Sequence, residues 1–176
     1  MINWPKISLK DLAGFISEEL RKKGIEAVLV GGACVTIYTE NRYQSYDLDY
    51  VTYEDMKKVR KALSELGFTQ RNKYFQRKDC PWMIEFVTPP VAIGKDPIWK
   101  FANVSTPLGT ITCLAPTDSV KDRLASFYFW NDKQGLQQAL SICQEREIDL
   151  EEIKNWSTRE GYEEKFKVFL KSLKKK

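Results

Sequence analysis

Apolar residues recur along this chain in two periods, and the changes of period mark its elements. Leu12, Phe15, Ile16 and Leu20 fall at helical spacing. Ser8-Leu9-Lys10-Asp11 ahead of them has the form of a capping box, and Gly24 stops the helix. Residues 25–30 read as a buried strand. Residues 31–38 read as a short helix, with Val35 and Tyr38 on its apolar face, and 40–45 as a polar loop. The alternation over 47–52 predicts a second strand. Met56, Val59, Leu63 and Leu66 return to the helical period over 54–66, and Gly67 closes that helix.

Short strands follow at 68–69 and 74–76, then a stronger one at 82–87 that Thr88-Pro89-Pro90 ends. Residues 101–105 and 109–114 form a hairpin or two flanking strands. Pro116-Thr117-Asp118 opens a helix to about Trp130. Further helices are predicted over 132–146, 149–156 and 158–173. The switch near Pro116 from mixed elements to helices alone predicts an α/β (α+β) core over 1–115 and a C-terminal helical subdomain over 116–176.

The strand at 47–52 carries the chemistry. Val28-Leu29-Val30 leads into Gly31-Gly32, and Asp47-Leu48-Asp49 follows. Residues i and i+2 of a strand share a face, so Asp47 and Asp49 project together while Leu48 and Tyr50 pack on the other side. Adjacent carboxylates repel, and in isolation one of them holds its proton to higher pH. A divalent cation removes that conflict, and hard oxygen ligands suit Mg²⁺. Glu85 is a third carboxylate, set inside the apolar run Met83-Ile84-Glu85-Phe86-Val87. Beside the Asp47 strand it completes a trio that holds metal or activates a hydroxyl. Otherwise it is an outward-facing residue on a half-exposed strand.

Composition narrows the chemistry. The 176 residues contain no histidine, which excludes a Ser-His-Asp triad, a Cys-His pair and a histidine general base. The four cysteines are far apart with no C-x-x-C pair, so they read as buried reduced thiols rather than zinc or disulfide sites. No apolar run approaches the ~20 residues of a membrane span, and the first residues lack the form of a signal peptide. The expectation is a cytoplasmic protein with no membrane partner. The net charge of +4 lies largely in the 171–176 tail, a solvated end rather than a binding arm.

In this order, Gly31-Gly32, Asp47-Leu48-Asp49 and Glu85 resemble the nucleotidyltransferase superfamily that includes DNA polymerase beta. Val30-Gly31-Gly32-Ala33 and Arg42-Tyr43-Gln44-Ser45-Tyr46-Asp47-Leu48-Asp49 most resemble the bacterial AbiEii-like group, whose helical C-terminal region residues 116–140 also look like. The resemblance implies a nucleotidyltransferase-like mixed sheet flanked by helices, and transfer of an NMP from an NTP substrate. It implies Mg²⁺ or Mn²⁺ on Asp47, Asp49 and Glu85. Gly31 and Gly32 would let backbone approach the β- and γ-phosphates. Lys121 resembles the family's triphosphate-neutralising base, or is an exposed helix lysine. Arg42 and Ser45 either touch phosphate or serve the loop. The acceptor would be tRNA, a protein or a small molecule, with a toxin role and an antitoxin partner as one setting. Many active members have Ser after the glycines where this chain has Ala33, and the gap between Gly32 and Asp47 is slightly long. An inactive nucleotide-binding module is therefore the alternative. The aromatic run Phe127-Tyr128-Phe129-Trp130 offers base stacking or, more simply, helix packing.

Overall fold

Ser8 caps the first helix, α1 (Leu9–Lys22), reciprocally. Its hydroxyl accepts from the Asp11 amide at 3.0 Å and donates to the Asp11 carboxylate at 2.8 Å. In this computed structural model, which describes residues 2–174, the stripe Leu9, Leu12, Ile16 and Leu20 is buried. Gly24, at φ +65°, then turns the chain toward β1 (Val28–Val30). There follow α2 (Gly32–Tyr38), β2 (Asp47–Val51) and α3 (Met56–Glu65), the last capped by Asp55. β3 (Thr69–Arg71), β4 (Tyr74–Gln76) and β5 (Met83–Val87) come next. A small ribbon of β6 (Ala92–Ile93) and β7 (Asp96–Pro97) precedes the hairpin of β8 (Phe101–Thr106) and β9 (Gly109–Leu114).

These strands form a seven-stranded mixed sheet in the order β3-β4-β5-β2-β1-β9-β8, with the ribbon separate. β1 runs antiparallel to β2, and β2 parallel to β5. One face of the sheet carries Leu29, Leu48, Tyr50 and Ile84, all buried, and α1 and α2 pack against it. Tyr50 anchors that packing, since its hydroxyl donates to the Ala13 carbonyl at 3.0 Å. The pleat sends the alternate residues, Val30, Asp49, Val51, Glu85 and Val87, to the opposite face. The register puts Val30 opposite Asp49, and Asp49 opposite Glu85.

After Leu114 the chain is helical among the described residues: α4 (Pro116–Trp130), α5 (Lys133–Glu145), α6 (Leu150–Glu160) and α7 (Glu163–Leu173). The helix predicted over 158–173 is divided instead. Gly161 takes the left-handed conformation at φ +79°, so α6 runs on to Glu160 and α7 starts afresh at Glu163. Tyr128 is buried between Trp156 and Tyr162, with ring centroids 5.3 and 5.2 Å away. That places the middle of the aromatic run in helix packing, while Trp130 is exposed. α6 also holds the ribbon. The Trp156 indole donates to the Ile93 carbonyl at 3.3 Å, Glu160 accepts from the Lys95 amide at 2.7 Å, and Arg159 pairs with Asp96.

All four cysteines are free of disulfides, with Cys34 and Cys113 fully buried. No helix among the described residues is long and apolar enough to cross a membrane. Residues 175–176 of the lysine tail lie outside the described residues.

Candidate active site

Asp47 and Asp49 stand on one face of β2, and Glu85 reaches them from the neighbouring parallel strand. Oxygens of all three carboxylates lie within 4.8 Å of one another. Each residue is partly buried, open enough to receive a ligand and sheltered enough to feel its neighbours. Burial, followed by the charges of Asp47 and Glu85, pushes the Asp49 carboxyl up to about 7, from an ordinary value near 4. Three hard oxygen donors with an electrostatic deficit fit Mg²⁺ or Mn²⁺, and the trio could hold such an ion.

The surrounding groups organise this trio. The Ser45 hydroxyl donates to the Asp47 carbonyl at 3.1 Å and faces the Asp47 carboxylate at 3.3 Å. Ser45 is itself buried, with its amide donating to the Thr36 hydroxyl at 2.9 Å. The Lys73 ammonium lies 3.0 Å from Glu85 and comes from the tip of the β3–β4 hairpin. Gly31 joins β1 to α2 at φ +70°. A Cβ there would stand 2.7 Å from Asp49 Oδ2, so the glycine is required both by backbone conformation and by the nearness of the carboxylate. A Cβ on Gly32 would meet the Ser45 hydroxyl at 3.1 Å.

The structure thus gathers Asp47, Asp49, Glu85, Gly31, Gly32 and Ser45. Two other sequence candidates lie apart from the trio. Arg42 is exposed and pairs with Glu145 of α5. Lys121 is buried and pairs at 2.7 Å with both Asp118 and Glu152. Those bonds outweigh the effect of burial and raise its pKa.

On α4 it is the charge of Arg123 that opposes the rise of the Asp49 pKa. Arg123 is largely buried, bonds Asp122 at 2.5 and 3.0 Å, and reaches Gln138 at 3.3 Å. Sequence reasoning did not single it out. Two positions separate it from Lys121, which on a helix is more than half a turn. Only the rotation of α4 decides between them.

No protein-family profile and no curated protein matches this chain. Solved structures do. An antigenic nucleotidyltransferase-like protein from Paracoccidioides brasiliensis is similar at TM-score 0.56 and 13% identity, over 76% of this chain and 74% of that one. The antibiotic-resistance factor ANT(2'')-Ia is similar at TM-score 0.54 and 10% identity, over 94% of both chains. The lincosamide antibiotic adenylyltransferase LnuA, solved with lincomycin bound, is similar at TM-score 0.52 and 13% identity, over 77% of this chain and 98% of that one. The chain has the fold of these nucleotidyltransferase-like proteins.

Proposed function

We propose that this protein transfers a nucleoside monophosphate from an NTP to an acceptor hydroxyl. The carrying observation is the convergence of Asp47, Asp49 and Glu85 beside a glycine whose missing side chain clears Asp49. The likeness to two proteins of antibiotic resistance and adenylyl transfer supports the same reading.

Asp47, Asp49 and Glu85 would hold Mg²⁺, which when bound supplies charge neutralisation to the triphosphate. The protein's own part is positioning and proton handling. Ser45 fixes Asp47 through its backbone and side chain. Gly31 and Gly32 leave the backbone open to phosphate oxygens. Arg123 supplies fixed positive charge on the α4 side. The acceptor oxygen bonds to the α-phosphorus, the bond from that phosphorus to the bridging oxygen breaks, and pyrophosphate leaves. Glu85, on the outer strand of the trio, takes the hydroxyl proton.

Asp47→Asn or Asp49→Asn should abolish Mg²⁺-dependent NTP binding and transfer while the far-ultraviolet circular dichroism stays native. Normal turnover by either folded variant would sink the assignment. A second reading, a nucleotide-binding module without turnover, draws on Ala33. Ala33 is fully buried and has no hydroxyl to offer a phosphate. NTP binding without pyrophosphate release by the wild type, across a panel of acceptors, would favour that reading.

A further inference from the structure

Two rows of residues lead from the carboxylates across the sheet to its β3 edge. Glu85 is paired with Tyr74 on β4, and Tyr74 with Arg71 on β3. Paired residues share a face, so Arg71 stands on the face of Asp49 and Glu85 and in one row with them. In the next row the Gln76 amide donates to the Met83 sulfur at 3.0 Å, and Met83 stands opposite Asp47. Arg71, Gln76 and Met83 line a cavity of about 440 Å³, together with Arg77 and Lys78 from the segment after β4. The cavity thus lies on the trio's face and comes within one strand of Asp47.

Its walls carry positive charge and no carboxylate. Arg77 is held in place. Its guanidinium lies 2.7 Å from the Asp79 carboxylate, donates to the Leu66 carbonyl at 2.6 Å and covers the Trp4 ring at 4.2 Å. Arg71 and Lys78 differ, since neither side chain has a hydrogen bond, ion pair or ring contact among the described residues. Every other arginine of the chain has a side-chain partner. Two unpaired cations in one hollow repel each other, and an anion shared between them removes that repulsion. A phosphate monoester matches them, because it carries close to two negative charges at neutral pH and a guanidinium takes its oxygens bidentately. A nucleic-acid strand would need a longer run of free cations, and the neighbouring Lys73 and Arg77 are already held by Glu85 and Asp79.

Position decides which substrate the cavity serves. In-line displacement puts the attacking and leaving oxygens on opposite sides of the phosphorus. Gly31 and Gly32 follow β1, and the strand order β3-β4-β5-β2-β1 sets the carboxylates between those glycines and the cavity. Pyrophosphate departing on the glycine side leaves the cavity side, next to Glu85, for the acceptor.

We infer that the acceptor is a small hydroxyl-bearing phosphate monoester of the size of a sugar phosphate. Its phosphate is held by Arg71 and Lys78 and does not react, while its hydroxyl is presented to Glu85. Arg71 and Glu85 stand two strand spacings apart, roughly 10 Å, a span that a sugar phosphate bridges with the reach of the two side chains. This rests on the nucleotidyl-transfer reading, and it names the substrate class of that site. The transfer step is the one given above, with the NTP as co-substrate, pyrophosphate as leaving group and the proton on Glu85.

Calorimetry on the full chain tests the cavity separately from the transfer. The probes are glucose 6-phosphate, glucose, the ribonucleotide hexamer of uridine, and Mg-ATP. Each is titrated into wild type and into an Arg71→Gln/Lys78→Gln variant, whose substitutions are at exposed positions. Glucose 6-phosphate should bind wild type saturably, glucose should not, and the variant should bind the phosphate about tenfold more weakly, a loss in keeping with two exposed charge contacts. Mg-ATP should bind both proteins alike. No saturable glucose 6-phosphate binding, or equal binding by both proteins, overturns the inference. Glucose bound as tightly as its phosphate overturns the anion site. A uridine hexamer that binds more tightly than glucose 6-phosphate, and that the variant weakens, replaces the small monoester with a strand and overturns the substrate class. Mg-ATP binding that the variant weakens assigns the cavity to the triphosphate and overturns the acceptor role. Glucose 6-phosphate binding, lost in the variant, by a wild type that does not bind Mg-ATP removes the acceptor role and the transfer reading together, while the cavity stays an anion site.

Discussion

Asp49 stands directly opposite Glu85 in the parallel register of β2 and β5, so the Glu85 charge adds to the effect of burial and of Asp47 on the Asp49 carboxyl. Burial, then Asp47, then Glu85 raise its carboxyl to about 7. The sign of the consequence follows from linkage. The unfolded chain releases this proton near pH 4, whereas the folded chain keeps it to about 7. The metal-free fold therefore gains most from Asp49 at low pH, and loses that gain as pH rises toward and through 7. A divalent ion must displace the same proton, so its affinity should climb up to about pH 7 and flatten above it. Thermal melts in EDTA and in Mg²⁺, at pH 5 and pH 8, check both statements. The Mg²⁺-induced rise in Tm should be larger at pH 8. Asp49→Asn should remove that rise and be more stable than wild type in EDTA at pH 8.

Gly31 and Gly161 both take positive φ, but only Gly31 adjoins the carboxylates. Their φ values are +70° and +79°, but Gly161 is left-handed helical, where alanine costs about 1 kcal/mol, whereas Gly31 at ψ −149° is in a region essentially reserved for glycine and costs more. A Cβ at Gly161 meets nothing within 4 Å, while one at Gly31 runs into Asp49. Gly31→Ala should thus lose more stability than Gly161→Ala in denaturant melts, through both its backbone and the contact with Asp49. Mg-NTP affinity should fall by at least about tenfold in Gly31→Ala alone, the effect of displacing one ligand carboxylate. Equal affinities in the two variants would contradict the placement of the site.

How far the sequence reveals these arrangements depends on the period involved. Alternation on a strand is unambiguous, so the shared face of Asp47 and Asp49 and the burial of Leu48 and Tyr50 were both readable. The Pro116 start and the length of α4 were also readable, because proline fixes the first turn. The rotation of α4 was not. That helix buries Ser119, Val120, Lys121, Leu124 and Tyr128, which spread around much of its circumference. With no single apolar stripe, Lys121 and Arg123 could not be told apart. The β6–β7 ribbon is two residues on each side, too short for any period, and what holds it is the distant α6. Gly161 was a readable stop signal that the helical period on either side obscured.

The two α4 cations should separate cleanly by mutation. Lys121→Met leaves Asp118, which is mostly buried, without its partner, while Glu152 is half exposed and can turn to water. A loss of about 2 kcal/mol is expected, below the range for a fully buried pair. Mg-NTP affinity should be unchanged. Arg123→Gln removes the charge that holds the Asp49 pKa down, so Asp49 should titrate higher still. Metal binding at pH 7 should then weaken, and the deficit should shrink as pH is raised. Urea melts and metal titrations on the two variants give a double dissociation. A Lys121→Met protein of normal stability that binds Mg-NTP poorly would return Lys121 to the triphosphate.

Lys73 gives the last contrast, since it is a cation at the trio that the folded core does not require. Its side chain is 61% exposed, and its ammonium rests 3.0 Å from Glu85 and 4.8 Å from the Tyr74 ring centroid. Hydrogen bonding to Glu85 raises its pKa, so it stays charged across the working range. A divalent ion that engages Glu85 must compete with that ammonium. Removing it should help the metal and cost the anionic substrate a nearby positive charge. Lys73→Met should therefore bind Mg²⁺ alone a few-fold more tightly, roughly the range of a single exposed ion pair. It should bind Mg-NTP no better than wild type, because the ammonium that would otherwise turn from Glu85 to a phosphate is gone. Stability should change little. If metal affinity fell in Lys73→Met, the lysine would be organising Glu85 for the ion rather than standing in its place.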